Sequence, residues 1–266
     1  MRRFYRTVTV HGEDAGWRVR LDARPLGTPE RRALVLPSAR LADAIATEWA
    51  GQGDSVDPAA MPMTGIANAA IDRVAPAREQ FVADVARYGE SDLACYRAET
   101  PTALVAAEAA AWDPLLRWAR DRYDAALQPV SGVMHMSQPA AAVARLTTAV
   151  AALDHWTLAA LAKAVPLSGS LVAGLMLADA GPDAVAEAER LWPALTVDEL
   201  WQEAQWGSDA HAERNRRDRE RDWLIAARFI ALVAPVGADS DGNSAACADG
   251  SLPDGGNLPG CDPFTT

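Results

Sequence analysis

Residues 21–72 read LDARPLGTPERRALVLPSARLADAIATEWAGQGDSVDPAAMPMTGIANAAID, and this stretch decides the fold because it carries the chain from strand into helix. Just upstream and into it, Trp17, Val19 and Leu21 fall on one side of an alternating segment, the spacing of a half-buried strand. Proline fixes its own φ and pushes its predecessor out of the helical region, so Arg24-Pro25 turns the chain out of that strand. Leu34-Val35-Leu36 before Pro37 predicts a third short strand. Ser38 can then cap a helix whose apolar residues Leu41, Ala42, Ile45, Ala46 and Trp49 repeat at the helical period. Gly51 and Gly53 end it, and Asp57-Pro58 restarts the chain.

Working outward, residues 4–10 alternate as a further strand, and the turn-rich residues 11–15 join it to residues 16–21, which predicts a hairpin. From Met63 the text is mostly helical. Residues 64–72, 76–88, 101–127, 139–153, 154–164, 168–180, 182–192, 196–207 and 209–232 carry apolar residues at threefold and fourfold spacing, punctuated by Pro166, Gly181, Pro193 and Gly207. Short strands are expected at 94–97 and 130–136. The fold class that follows is α+β: a small N-terminal antiparallel β-rich part with one helix over 1–62, then a larger C-terminal helical bundle over 63–234. From 235 to 266 the chain is Gly, Ser, Asp, Pro and Ala with almost no large apolar residue, a mix that cannot bury enough surface to offset chain entropy. A disordered acidic tail is expected there.

Half of the 266 residues are hydrophobic, enough for a sizeable core. The net charge of −11 argues against a nucleic-acid partner, which requires a basic footprint. Asp239, Asp241, Asp249, Asp254 and Asp262 of the tail account for five of those charges, which leaves the body near −6. Cys95, Cys247 and Cys261 lack ligand or framework spacing, so a reducing compartment is the simpler inference. Met1-Arg2-Arg3-Phe4-Tyr5 shows no secretion signal, and no stretch approaches a membrane span; residues 224–236 are apolar but short and hold Arg228.

Signals for chemistry are sparse. No phosphate-binding loop of the GxxxxGK[ST] or GxGxxG kind is present, and Ser168-Gly169-Ser170 lacks the spacing of a nucleophile elbow. His11, His135, His155 and His211 are scattered singly, and Cys95 reads as a small buried hydrophobe before it reads as a nucleophile. No cofactor and no metal site is expected. Glu199 and Glu203 alone are too few ligands. The run ERNRRDRERD at 213–222 alternates its signs and offers Glu213 with Arg217 and Arg214 with Asp218 at i, i+4, which marks an exposed helix more than a phosphate track.

The informative surface lies at 196–209. On a helix, Val197, Leu200, Trp201 and Ala204 share one face, expected to be core. Glu199, Gln202, Glu203 and Trp206 share another, which mixes two carboxylates, an amide and an indole. That face suits docking against a partner's polar and basic surface; the alternative is a solvated face with one incidental tryptophan.

The pieces LDxRPxxTP at 21–29, LxLPxxxLAxAIAxEWxxQ at 34–52, DPxxMPxT at 57–64, Asn68, Asp72, SDLxCYRAE at 91–99 and the WGxD-like segment within 202–209 occur in an order and spacing that resembles the ATP synthase assembly factor 2 (Atp-twelve) chaperone family. That resemblance implies a β-rich N-terminal part, a helical C-terminal part and no enzymatic activity. It implies a chaperone that binds the unassembled alpha subunit of F-type ATP synthase, prevents its aggregation and hands it to the beta subunit. Organelle relatives would work in the mitochondrial matrix, while a start at Met1 points this chain to a bacterial cytoplasm. By resemblance the element Trp206-Gly207-Ser208-Asp209 and its nearby acids are the place to look first. The family pattern continues with a Glu two residues past that Asp, where this chain has His211 and then Glu213, so Glu203, Asp209 and Glu213 are carried together as partner-binding candidates with Glu199, Gln202 and Trp206. Trp49, Arg24, Pro25 and Asp72 are expected structural anchors. A scaffold for another complex and a carboxylate-dependent hydrolase stand as the alternative readings, and the oligomeric state is left open.

Overall fold

The N-terminal hairpin forms as β1 (Val8–Glu13) and β2 (Gly16–Leu21), antiparallel and in register from Val8 opposite Leu21 to Glu13 opposite Gly16. The first strand starts four residues later than its alternation suggests. Residues 2–7 are held in other ways: Asp22, at φ +54°, accepts hydrogen bonds from the Thr7 and Arg6 backbone N–H groups, which hold its carboxyl below the usual carboxylate range, while Arg3 N–H donates to Asp54. After that turn β3 (Arg24–Pro25) pairs with β2, so Arg24 and Pro25 contribute through backbone pairing while their side chains stay exposed. This computed structural model describes residues 2–132, 134 and 136–234; the tail expected at 235–266 lies outside the described residues.

Residues 34–36 do not make the expected third strand. Leu36 exchanges two hydrogen bonds with Trp17, 2.9 and 2.8 Å, and the pairing stops there because Pro37 has no N–H to extend it. Leu34 and Leu36 are nonetheless fully buried. The bridge also explains Gly16, whose φ is +137° and where a Cβ would sit 2.6 Å from the Leu36 carbonyl oxygen.

Helix α1 (Ala39–Ala50) begins as its sequence dictates, with the Ser38 hydroxyl accepting from Leu41 N–H at 3.1 Å. The same hydroxyl donates to the Leu232 carbonyl at 2.5 Å and ties the start of α1 to the last described helix. Leu41, Ala42, Ile45 and Trp49 form the buried stripe. Trp49 meets Tyr5 edge-on at 5.6 Å, and the Tyr5 hydroxyl donates to the Trp49 carbonyl at 2.6 Å, so helix and N-terminal segment share one anchor. Glu48 beside it caps α2 (Pro62–Ala69): its carboxylate accepts from Met63 N–H, Thr64 N–H and the Thr64 hydroxyl at 2.6, 2.8 and 2.7 Å.

Past α2 the helix widens into a π turn over Ala70–Val74, which brings Asp72 back onto the β layer to accept from the Thr28 hydroxyl at 2.7 Å and Glu30 N–H at 3.1 Å. The remaining helices are α3 (Arg78–Ala86), α4 (Thr102–Tyr123), α5 (Ala140–Ala152), α6 (His155–Ser168), α7 (Leu171–Ala180), α8 (Ala184–Leu195), α9 (Val197–Trp206) and α10 (Ala210–Val233). A two-residue parallel pair, β4 (Tyr96–Arg97) with β5 (Val130–Ser131), lies among them, shorter than the strands expected there. Helix α6 runs through Pro166 and α8 through Pro193, both in the last turns, where a missing N–H costs one hydrogen bond; α6 ends only at Gly169, φ +70°. Helix α7 is buried from Leu171 through Leu177, and α10 packs against α6, α8, α1 and α2. Trp223 of α10 is fully buried and donates its indole N–H to the Ala188 carbonyl at 3.1 Å.

Replacing Trp49 by Ala removes a ring that joins helix, strand layer and N-terminal segment. The expected loss is about 3–5 kcal/mol, as for other large-to-small core changes, read as a lower urea midpoint at unchanged slope.

Candidate partner-binding surface

Helices α9 and α10 fold back on each other at Gly207, φ +91°, and Asp209 caps α10 by accepting from His211 N–H at 2.8 Å. The acids read from the sequence as one docking face have separate duties. Glu199 pairs with Arg219 at 2.5 and 2.6 Å, Glu203 pairs with Arg216 at 2.6 Å, and Glu213 pairs with Arg217 one turn along its own helix. The charge run of 213–222 therefore does more than solvate a helix, because two of its arginines reach across and neutralise α9. Arg219 also lies over the Trp192 ring, 5.8 Å from its centre.

The expected core stripe of α9 is corrected by the structure: no described residue of α9 is buried, and Leu200 is 42% exposed. The core behind it is already filled by Leu191, Trp192 and Leu195 of α8 and by Trp223, so α9 packs on α4 from outside and reaches α10 through ion pairs. Gln202 bonds Asp198 at 3.0 Å and leaves its face open. Trp206 is 77% exposed, its ring edge-on to Trp201 at 6.5 Å.

Together these residues form one wall of a cleft of about 910 Å³ between α9 and α4. Its α9 side is Asp198, Trp201, Gln202 and Trp206. The opposite side is Leu104, Glu108 and Trp112 of α4, and the rim comes from Arg97, Glu99, Gly132 and Met134 around the β4–β5 pair. Trp112 is fixed by its indole N–H on the Ala194 carbonyl at 2.7 Å. Arg97, nearly buried, donates from Nη2 to Asp113 at 2.9 Å and stacks its guanidinium over Trp112 at 5.2 Å. Glu108 accepts from Ala98 N–H at 2.7 Å. None of these opposite-wall residues was singled out from the sequence as a binding residue; the signal that could have found them is the pairing of SDLACYRAE at 91–99 with the Trp112-Asp113 step.

The residues considered for nucleophilic chemistry are used elsewhere. Ser170 caps α7 and donates to Asp92 at 3.1 Å, and Ser168 donates to backbone carbonyls. Cys95 is buried, and burial, with Asp92 nearby, pushes its thiol up to about 12. Among the described residues no group of three or more His, Cys, Asp or Glu could hold a metal ion, and no helix is long and apolar enough to cross a membrane.

Residues 2–120 match the family model described as ATP12 chaperone protein. The chain is similar to Atp12 from Paracoccus denitrificans, 40% identical, over 87% of this chain and 98% of that one with a TM-score of 0.80. An Asp-to-Lys variant of the Paracoccus protein matches equally, over 97% of its length. The Atu1473 protein of Agrobacterium tumefaciens is 38% identical over 88% of this chain and 85% of its own, with a TM-score of 0.78.

Two outcomes are expected. A thiol reagent at pH 8 leaves Cys95 unmodified in the native protein and modifies it after denaturation, as read by mass spectrometry of its peptide, because only a thiolate reacts. Truncating Glu199 and Glu203 together to Ala lowers global stability by only about 0.2–1 kcal/mol per pair but speeds amide hydrogen exchange across 197–206 selectively, since α9 has little burial to hold it.

Proposed function

The chain belongs to the ATP12 chaperone family, and on that footing we propose that it binds the unassembled alpha subunit of F-type ATP synthase, keeps it from aggregating and passes it to the beta subunit. An unassembled subunit exposes apolar surface meant for its neighbour, and such patches drive association. A holder must cover that surface and release it. The observation that carries the reading is the open aromatic face of α9, where Trp206 stands 77% exposed above a cleft already walled by Trp112 and Trp201. Exposed tryptophan is enriched at interface hot spots because it offers a large rigid area at low entropic cost.

Within that surface we assign contact to Trp206 and Gln202. Glu199, Glu203, Asp209 and Glu213 act on binding through shape: the first two tie α9 to α10 by ion pairs, Asp209 caps α10, and Glu213 pairs one turn along α10. The role follows the family in the bacterial cytoplasm and calls for no nucleotide.

The purified protein is expected to suppress light scattering from isolated alpha subunit at equimolar ratio under reducing conditions, with no nucleotide added. Trp206→Ala should weaken that complex by about thirtyfold, the loss of one hot spot of about 2 kcal/mol, while melting as the parent does. Unhindered aggregation of the subunit with the parent protein would count decisively against this function.

A further inference from the structure

We infer that the cleft between α4 and α9 is built for a lysine or arginine side chain presented by an apolar segment of the client, an inference that rests on the chaperone reading for the client's identity. Its walls supply the apolar half. Trp201 and Trp206 offer ring faces and edges, Trp112 closes the floor beneath Arg97, and Met134, 79% exposed, stands at the rim. A long aliphatic stem lies well along such rings, and the cationic head it carries is attracted to their faces.

The carboxylates supply the other half. Glu199, Glu203 and Glu213 already have cations, but the three that line the cleft do not: among the described residues Glu99, Glu108 and Asp198 form no ion pair. Glu108 is the telling one. It is only 3% exposed, one oxygen accepts from Ala98 N–H, and the other accepts no hydrogen bond from a described residue. A carboxylate so placed calls for a donor, and a cation is the strongest. The rim is shaped to the same end, for Gly132 holds φ +86° and a Cβ there would stand 2.8 Å from the Glu99 carboxylate.

An acidic occupant fits worse. Among the described residues that line the cleft Arg97 is the one cation, its Nη2 is already paired with Asp113, and its Nε and Nη1 are sealed beneath the surface against the Trp112 ring. The balance of the cleft stays negative, so a carboxylate brought into it meets like charge.

The test uses the full chain and three fluorescein-labelled peptides, each an alternating Leu-Ser stretch with a single central lysine, norleucine or glutamate, followed by fluorescence anisotropy. The lysine peptide is expected to bind about tenfold tighter than its norleucine twin and to lose that advantage at about 0.3 M salt, with the glutamate peptide weakest. The double variant Glu99→Gln, Asp198→Asn keeps the shape and the bond to Gln202, and should remove the preference without changing the melting temperature; Glu108→Gln, which preserves an acceptor for Ala98, should do the same. Equal affinity for the lysine and norleucine peptides, or no binding of any of them, overturns the inference, as does an undiminished preference in the double variant. A parent protein that holds the alpha subunit yet shows no charge preference sinks this inference alone. One that prefers lysine but fails to hold the subunit sinks the client assignment and leaves the cleft chemistry standing.

Discussion

Backbone N–H groups at the joins between short segments constrain this structure more than any other demand, and carboxylates satisfy them. Each helix leaves its first N–H groups without intrahelical partners, and a buried group left unpaired costs about 1–3 kcal/mol. Met61 offers α2 no side-chain cap, so Glu48 reaches across from α1 to accept three hydrogen bonds there. Asp92 accepts from Ala94 N–H, Val172 N–H and the Ser170 hydroxyl, and so joins the approach to β4 to the start of α7; burial raises its carboxyl above the usual range while those donors pull it back. Asp72 does the same between the π turn and the loop at 28–30. Much of the acidity of the folded body is therefore architecture, not a field aimed at a partner.

With the joins fixed by polar contacts, the apolar side chains can fill a continuous core. Helix α10 is its centre piece: Trp223, Phe229 and Ile230 sit against α6 and α8, and the Leu232 carbonyl receives the Ser38 hydroxyl from the first helix. The last described helix thus locks the β-to-α junction made by the first. Helix α9 is the exception, attached by ion pairs to Arg216 and Arg219 and by its edge against α4. Arrangement of the cleft follows from that difference, since one wall belongs to the rigid body and the other to the most lightly held helix.

The hairpin, α1 with its Ser38 cap and Trp49 stripe, and the order of later helices were legible because alternation, capping residues and helical spacing are local signals. Residues 34–36 misled because a short apolar run before a proline looks the same whether it pairs over several residues or at one bridge. Pro166 and Pro193 misled because a proline past the first turn removes one intrahelical hydrogen bond, a loss that the buried faces of α6 and α8 outweigh. The candidate surface was half legible. Spacing put Glu199, Gln202, Glu203 and Trp206 on one helix face, but the partners that neutralise the two glutamates lie on another helix, 20 residues on for Glu199, and no single-helix pattern reveals them. The opposite wall, Glu108 with Trp112, required the fold to bring α4 beneath α9.

A lightly held wall suits a holder. A chaperone that delivers its client must bind through a surface whose complementarity is good but whose rigidity is limited, because tight preorganisation lowers the dissociation rate along with the ordering cost. The half-exposed Glu199–Arg219 pair contributes about 0.2–1 kcal/mol, and with the more buried Glu203–Arg216 pair it keeps α9 in register. The same pairs neutralise Glu199 and Glu203, so of the α9 carboxylates the one without a cation among the described residues is Asp198, which lines the cleft. A helix face that mixes carboxylates, an amide and an indole in sequence becomes, once folded, a strut whose two glutamates are paired to α10 while Asp198, Gln202 and Trp206 border the cleft.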